Sequence, residues 1–120
     1  MIDSALYQHL LEHVPDVSER VFAYLLPQGC KYPAIAYLEV SNTPEYDLSG
    51  ETGFEQSRYQ LSVFAESYLE AKTIATAVKA AMRLPITGVQ SVILTNCVPS
   101  YEDDFKLYHI ALDYQVNSHS

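Results

Sequence analysis

PAIAYLEV (residues 33–40), SNTPEYDLSGETGFEQS (41–57), RYQLSVFA (58–65) and ESYLEA (66–71) follow one another without a break, and their order decides the fold. Residues 33–40 and 58–65 have the two-residue period of strands. In the first, Ile35, Tyr37 and Glu39 fall on one side and Ala36, Leu38 and Val40 on the other; the second set is expected to face the core. In the second, Tyr59, Leu61, Val63 and Ala65 oppose Arg58, Gln60 and Ser62, with Phe64 breaking the polar side. Residues 41–57 carry Pro44, Gly50 and Gly53 and have no period. They form either a long loop or a hairpin whose outer half leaves the sheet, with the glycines supplying positive φ at turns. At Ser67 the period changes. Ser67-Tyr68-Leu69-Glu70 fits a capping box, and Ala71, Ile74, Ala75, Val78, Ala81 and Met82 make one helical stripe ending near Arg83.

Working outward, residues 3–13 read as a helix with Asp3 as N-cap, Ile2 as staple partner of Tyr7, and Leu6, Leu10, His13 and Val14 on one stripe. Residues 20–26 read as a short strand, 89–98 as another, and 99–104 as a turn or extended rim. Residues 107–116 alternate cleanly, with Tyr108, Ile110, Leu112, Tyr114 and Val116 on one face, and the last few residues are expected to fray. The order is helix, three strands, helix, two strands. This predicts one α+β domain over 1–120, with a mostly antiparallel sheet of about five strands and two helices on one face.

The 120 residues carry a formal net charge of −8, and the 7 Lys and Arg are scattered. No basic patch is available for phosphates, which disfavours nucleic acid and anionic membranes as direct partners. No apolar run reaches membrane-spanning length, and no signal peptide is visible. Cys30 and Cys97 form no C-x-x-C pair, and an intracellular protein with reduced thiols is expected.

No residue cluster reads as catalytic. His9-Leu10-Leu11-Glu12-His13 fits the H-x-x-E-H pattern of a zinc-binding helix, because residues four apart share a face. It has no third ligand in a second motif, and an incidental helix surface is the simpler reading. Neither cysteine has a His nearby in sequence, and carboxylates such as Asp103 and Asp104 sit in predicted turns. Gly50 and Gly53 are too sparse to cradle a phosphate. No metal, cofactor or catalytic residue is assigned. The tyrosines near predicted loops or ends, Tyr32, Tyr46, Tyr68 and Tyr101, suit a protein interface.

Pro27-Gln28-Gly29, Tyr32-Pro33-Ala34-Ile35, the run 41–53, the strand 58–65 and Ser67-Tyr68-Leu69-Glu70-Ala71 together resemble the tail completion (tail terminator) proteins of long-tailed phages and prophages. The resemblance covers residues 1–83 by motif and the last two strands by order. It implies a non-enzymatic virion protein, assembled in the bacterial host cytoplasm. Such a protein forms a ring, commonly six-fold, that caps the head-proximal end of the tail tube. The ring ends tube polymerisation and joins the tail to the head connector. The implied partners are further copies of the chain, the tail tube protein and the head connector protein. Glu45, Tyr46, Asp47, Glu51, Glu55 and Tyr101 become the candidate interface, and the carboxylates among them are candidates to line a lumen along which DNA slides. A second reading is a ferredoxin-like regulatory domain that binds a small ligand at a dimer interface.

Overall fold

The longest strand, Gly50–Ala65 (β3), has 16 residues. At about 3.3 Å per residue it runs roughly 50 Å, and the molecule's long axis is 52 Å. The computed structural model describes residues 2–48 and 50–119, and of Ile2, Asp47, Glu51, Thr52 and His119 the backbone alone. The other elements are helix α1 (Ile2–His13), a 3-10 turn (Pro15–Val17), β1 (Val21–Ala23), β2 (Ala34–Asp47), helix α2 (Tyr68–Ala81), β4 (Val89–Glu102) and β5 (Leu107–His119). The strands form one sheet in the order β1-β2-β3-β5-β4. Only the β1–β2 pair is parallel. The predicted class and element order therefore hold.

The core lies between one face of this sheet and the two helices. Tyr59, Leu61, Val63 and Ala65 of β3 and Ile110, Leu112, Tyr114 and Val116 of β5 are buried there against Ala71, Ile74, Ala75 and Val78 of α2. The small residues of α2 let its backbone sit close to the strands. Ser67 caps α2 as its motif predicts: the Ser67 hydroxyl accepts from the Glu70 amide at 3.1 Å.

Helix α1 adds Leu6 and Leu10 to the core, with Val14 just beyond its end. Two side chains lock it down. His9 Nε2–H donates to the Ala81 carbonyl at 2.7 Å, which fixes the ring tautomer and joins α1 to the end of α2. The Tyr59 hydroxyl donates to the Asp3 carboxylate, joining α1 to β3. Burial and that carboxylate hold the Tyr59 phenol well above its ordinary pKa, so it remains a donor.

Several expectations need correction. The core face of β2 is Ile35 and Tyr37, because the register sets Ile35 opposite Val63 and Tyr37 opposite Leu61. Ala36 lies opposite Ser62 on the other face, and Val40 is 54% exposed at a bulge. Asp3 lies inside the first turn of α1 instead of capping it, and the Ile2 side chain of the expected staple is outside the described residues. His9 is buried, not on an incidental helix surface. The segment 20–26 keeps only three residues of strand. β4 continues through Pro99 to Glu102, since on a sheet edge the missing proline N–H removes no ladder bond. β5 does not fray after Val116: Asn117 and Ser118 are paired on both sides, with β3 and with β4.

These assignments predict an asymmetry within one strand. Ile35→Ala is expected to cost about 2–5 kcal/mol of stability, whereas Val40→Ala stays within about 0.5 kcal/mol. Urea denaturation of the two variants checks this, and equal losses would refute the register.

Candidate assembly interface

The apolar stripe that recruits the helices ends abruptly at one end of the sheet. On β3 the helix-side sequence Val63, Leu61, Tyr59 is followed by Ser57 and Glu55, and on β5 Val116 is followed by Ser118. Past this point no apolar face remains for a helix to cover, and β2 and β3 continue as a hairpin arm. The second of the two sequence alternatives for 41–57 is therefore the structure found. β5 accompanies β3 as far as Phe54↔His119, and the arm turns between the paired Asp47 and Gly50. Gly50 has φ +115°, where a larger residue would be strained even though space is open. Register shifts at Val40 of β2 and at residues 52–54 of β3, opposite Glu45, mark bulges, which twist the arm. At its base Asn42 Nδ2 donates to Glu55 Oε2 at 3.2 Å and to Ser57 Oγ at 2.8 Å.

Five of the six candidate interface residues lie on this arm. Tyr46 is 66% exposed, Glu45 is exposed opposite the β3 bulge and Glu55 is half-buried beside Asn42. Asp47 and Glu51 are placed by backbone register, and their side chains are outside the described residues. Tyr101 does not join them. It packs edge-on against Tyr108 at 4.9 Å, near the opposite end of the sheet. Counting residues along β3 from Glu51, the partner of Tyr46, to Ala65, the partner of Tyr108, puts it roughly 45 Å away.

Two sheet edges are open. β1 covers only Ile35–Tyr37 of β2, leaving the rest of that strand's outer edge unpaired. β4 is an edge over its whole length and exposes Ile93 and Val98 on the face away from the helices. A second feature invisible in sequence is an apolar cleft of about 630 Å³ on that face, formed by Tyr24, Leu25, Phe64, Phe105 and Leu107. Its parts come from three distant segments, and only the isolated Phe105 in a charged turn signals it.

The chemical motifs are occupied in other ways. His9 Nε2 is committed to the Ala81 carbonyl, and its ring lies 4.4 Å from that of His13. Among the described residues, no group of three or more His, Cys, Asp and Glu is placed to hold a metal. Both cysteines are free. Burial pushes the Cys30 thiol up, away from the thiolate, and it donates to the Lys31 carbonyl at 3.0 Å. Among the described residues, no helix is long and apolar enough to cross a membrane.

The model of the family described as Tail completion protein gp17 matches residues 4–117. The fold matches a chain of a native gene transfer agent virion with TM-score 0.79 and 16% identity, over 99% of this chain and 95% of that one. That likeness establishes the shared fold. No curated protein matches the chain.

An arm without a helix layer has few buried apolar contacts to protect its backbone bonds. Amides of residues 42–47 and 50–55 are expected to exchange with solvent far faster than those of residues 59–64, and hydrogen-exchange mass spectrometry of the isolated chain reads the difference directly.

Proposed function

This chain belongs to the family of tail completion protein gp17, and we propose that it forms a ring at the head-proximal end of the tail tube. In this reading the ring ends tube polymerisation and joins the tail to the head connector. The family assignment makes it a structural component of a phage tail, and it is the observation that carries the proposal, because the match over residues 4–117 takes in α2, β1 to β4 and nearly all of α1 and β5.

The architecture supports a ring in a specific way. A cyclic assembly needs two different surfaces on one subunit that fit each other on adjacent copies. The outer edge of β2 and the outer edge of β4 lie on opposite sides of the sheet, and each leaves backbone donors and acceptors unpaired. The arm adds a projecting contact for a neighbour or for the tube. The resemblance suggests six copies, with the tail tube protein and the head connector protein above and below. The ring would be assembled in the host cytoplasm and retained in the virion tail. The acidic balance, −8 overall, suits a passage along which DNA moves without being held.

Adding the purified chain to polymerising tail tubes should stop elongation and leave one ring-shaped density at a single tube end in electron micrographs. Sedimentation of the free chain should show a concentration-dependent species near six copies. Tubes that elongate unchecked and a chain that sediments only as a dimer would overturn the ring and favour the ligand-binding regulatory reading.

A further inference from the structure

Resting on the ring reading above, we propose that the arm tip of one subunit docks into a groove at the C-terminal end of α2 in the next copy. The groove has a volume of about 570 Å³ and lies between the end of α2, the turn 82–86 and the first half of β4. Cavities of about 300–1,000 Å³ hold a small ligand or a few side chains. Its apolar lining includes Leu84, Ile86, Val92 and Leu94, of which Leu84 and Leu94 are exposed. The charged residues that line it are Lys79 and Arg83, with no Asp or Glu among the lining residues described. Among the described residues, neither cation forms an ion pair.

The arm is the chemical counterpart of this groove. Residues 41–57 hold Glu45, Asp47, Glu51 and Glu55 and no Lys or Arg. Near the tip, Tyr46 and Leu48 are among the most exposed large hydrophobic residues of the molecule. Tyr46 and Leu48 supply the apolar anchors, and the carboxylates meet Lys79 and Arg83 at the rim, where complementary charge sets register and partner choice. The groove is also continuous with the open β4 edge, since Val89, Val92 and Leu94 belong to both. A docked arm therefore extends the same contact along that strand. Within one subunit the arm's base shares a cleft with Gln90 and Ser91, but the tip beyond Tyr46 projects past the row Pro44, Glu55, Ser118 and Val89, where β4 begins, and so points away from its own groove. The contact is thus between copies and joins unlike surfaces, as ring closure requires.

A charge-swap complementation tests this in the full-length chain. The groove variant is Lys79→Glu/Arg83→Glu and the arm variant is Glu45→Lys/Asp47→Lys/Glu51→Lys, which turns the arm's net charge positive, with circular dichroism and melting confirming that each folds. Each variant alone should lose the ring in sedimentation, with and without tail tubes. An equimolar mixture should recover it, because every arm then faces a groove of opposite charge. If the groove reversal unfolds the helix end, where added acids oppose the helix dipole, Arg83→Gln replaces it and is expected to raise the assembly concentration about tenfold. Normal rings from the arm variant alone overturn the proposal and return those carboxylates to a lumen, leaving the ring reading intact. A mixture that stays unassembled also overturns it. A wild-type chain that remains monomeric, free and on tubes, sinks both this proposal and the ring.

Discussion

The structure depends on burying one face of β3 and β5 beneath α2. Ten tyrosines and many β-branched residues are available for a core, but only every second residue of a strand reaches it. The stripe Tyr59, Leu61, Val63, Ala65 and the stripe Ile110, Leu112, Tyr114, Val116 lie side by side in register. A slip by one residue would set Gln60 and Asp113 against α2, so the pairing is strongly specified. Everything else is placed relative to this block. α1 reaches it through Asp3 and His9, and β2 is aligned by Ile35 and Tyr37 against the same β3 face.

The same constraint creates the arm. Hydrogen bonding between β2 and β3 continues past Ser57 after the apolar pattern has stopped, because backbone pairing is available to any residue with an extended conformation. The strands then have a ladder and no core. Bulges at Val40 and at residues 52–54, the Asn42 bonds and the turn at Gly50 give this segment its shape in place of packing. A projecting, polar, acidic hairpin is a poor contributor to monomer stability, and its cost in ordering entropy is easier to understand if a partner contacts it.

Legibility in the sequence followed locality. The Ser67 cap, the α2 stripe and the alternation of β5 are each fixed within a dozen residues, and each was found where the sequence placed it. The core face of β2 is misread from sequence because Glu39 makes the Ile35–Tyr37 side the less apolar one in residues 35–40, whereas the choice is made by register with β3. Asp3 has the chemistry of a cap, but its acceptor role is set by Tyr59, 56 residues away. Polar residues on both faces of 41–57 carry no period, so loop and hairpin looked alike until strand pairing decided between them. The candidate interface was legible as an acidic, glycine-bearing stretch. Tyr101 was grouped with it by residue type alone, and the fold puts it at the far end of the sheet. The groove at the end of α2 was not legible at all, since it forms only when β4 is laid beside that helix.

The composition of β4 bears on what covers its edge. Soluble monomers protect long edge strands with charges, prolines or bulges that discourage pairing with another chain. From Val89 to Tyr101 this strand has no charged residue. Its defences are Pro99 and the register shifts between Val89 and Ser91 and between Leu94 and Asn96, while Ile93 and Val98 stay about half exposed. The outer part of β2, by contrast, carries Pro44 and acids. Two acidic β2 edges repel each other, whereas the uncharged β4 edge, flanked by Lys79 and Arg83, does not repel an acidic one. Two copies meeting β4 to β4 would leave both arms without a basic counterpart, whereas β4 meeting a neighbour's β2 brings Lys79 and Arg83 toward the acidic arm. Head-to-tail association would therefore satisfy the charges and the open backbone groups together, and it is the kind of association that the proposed ring requires.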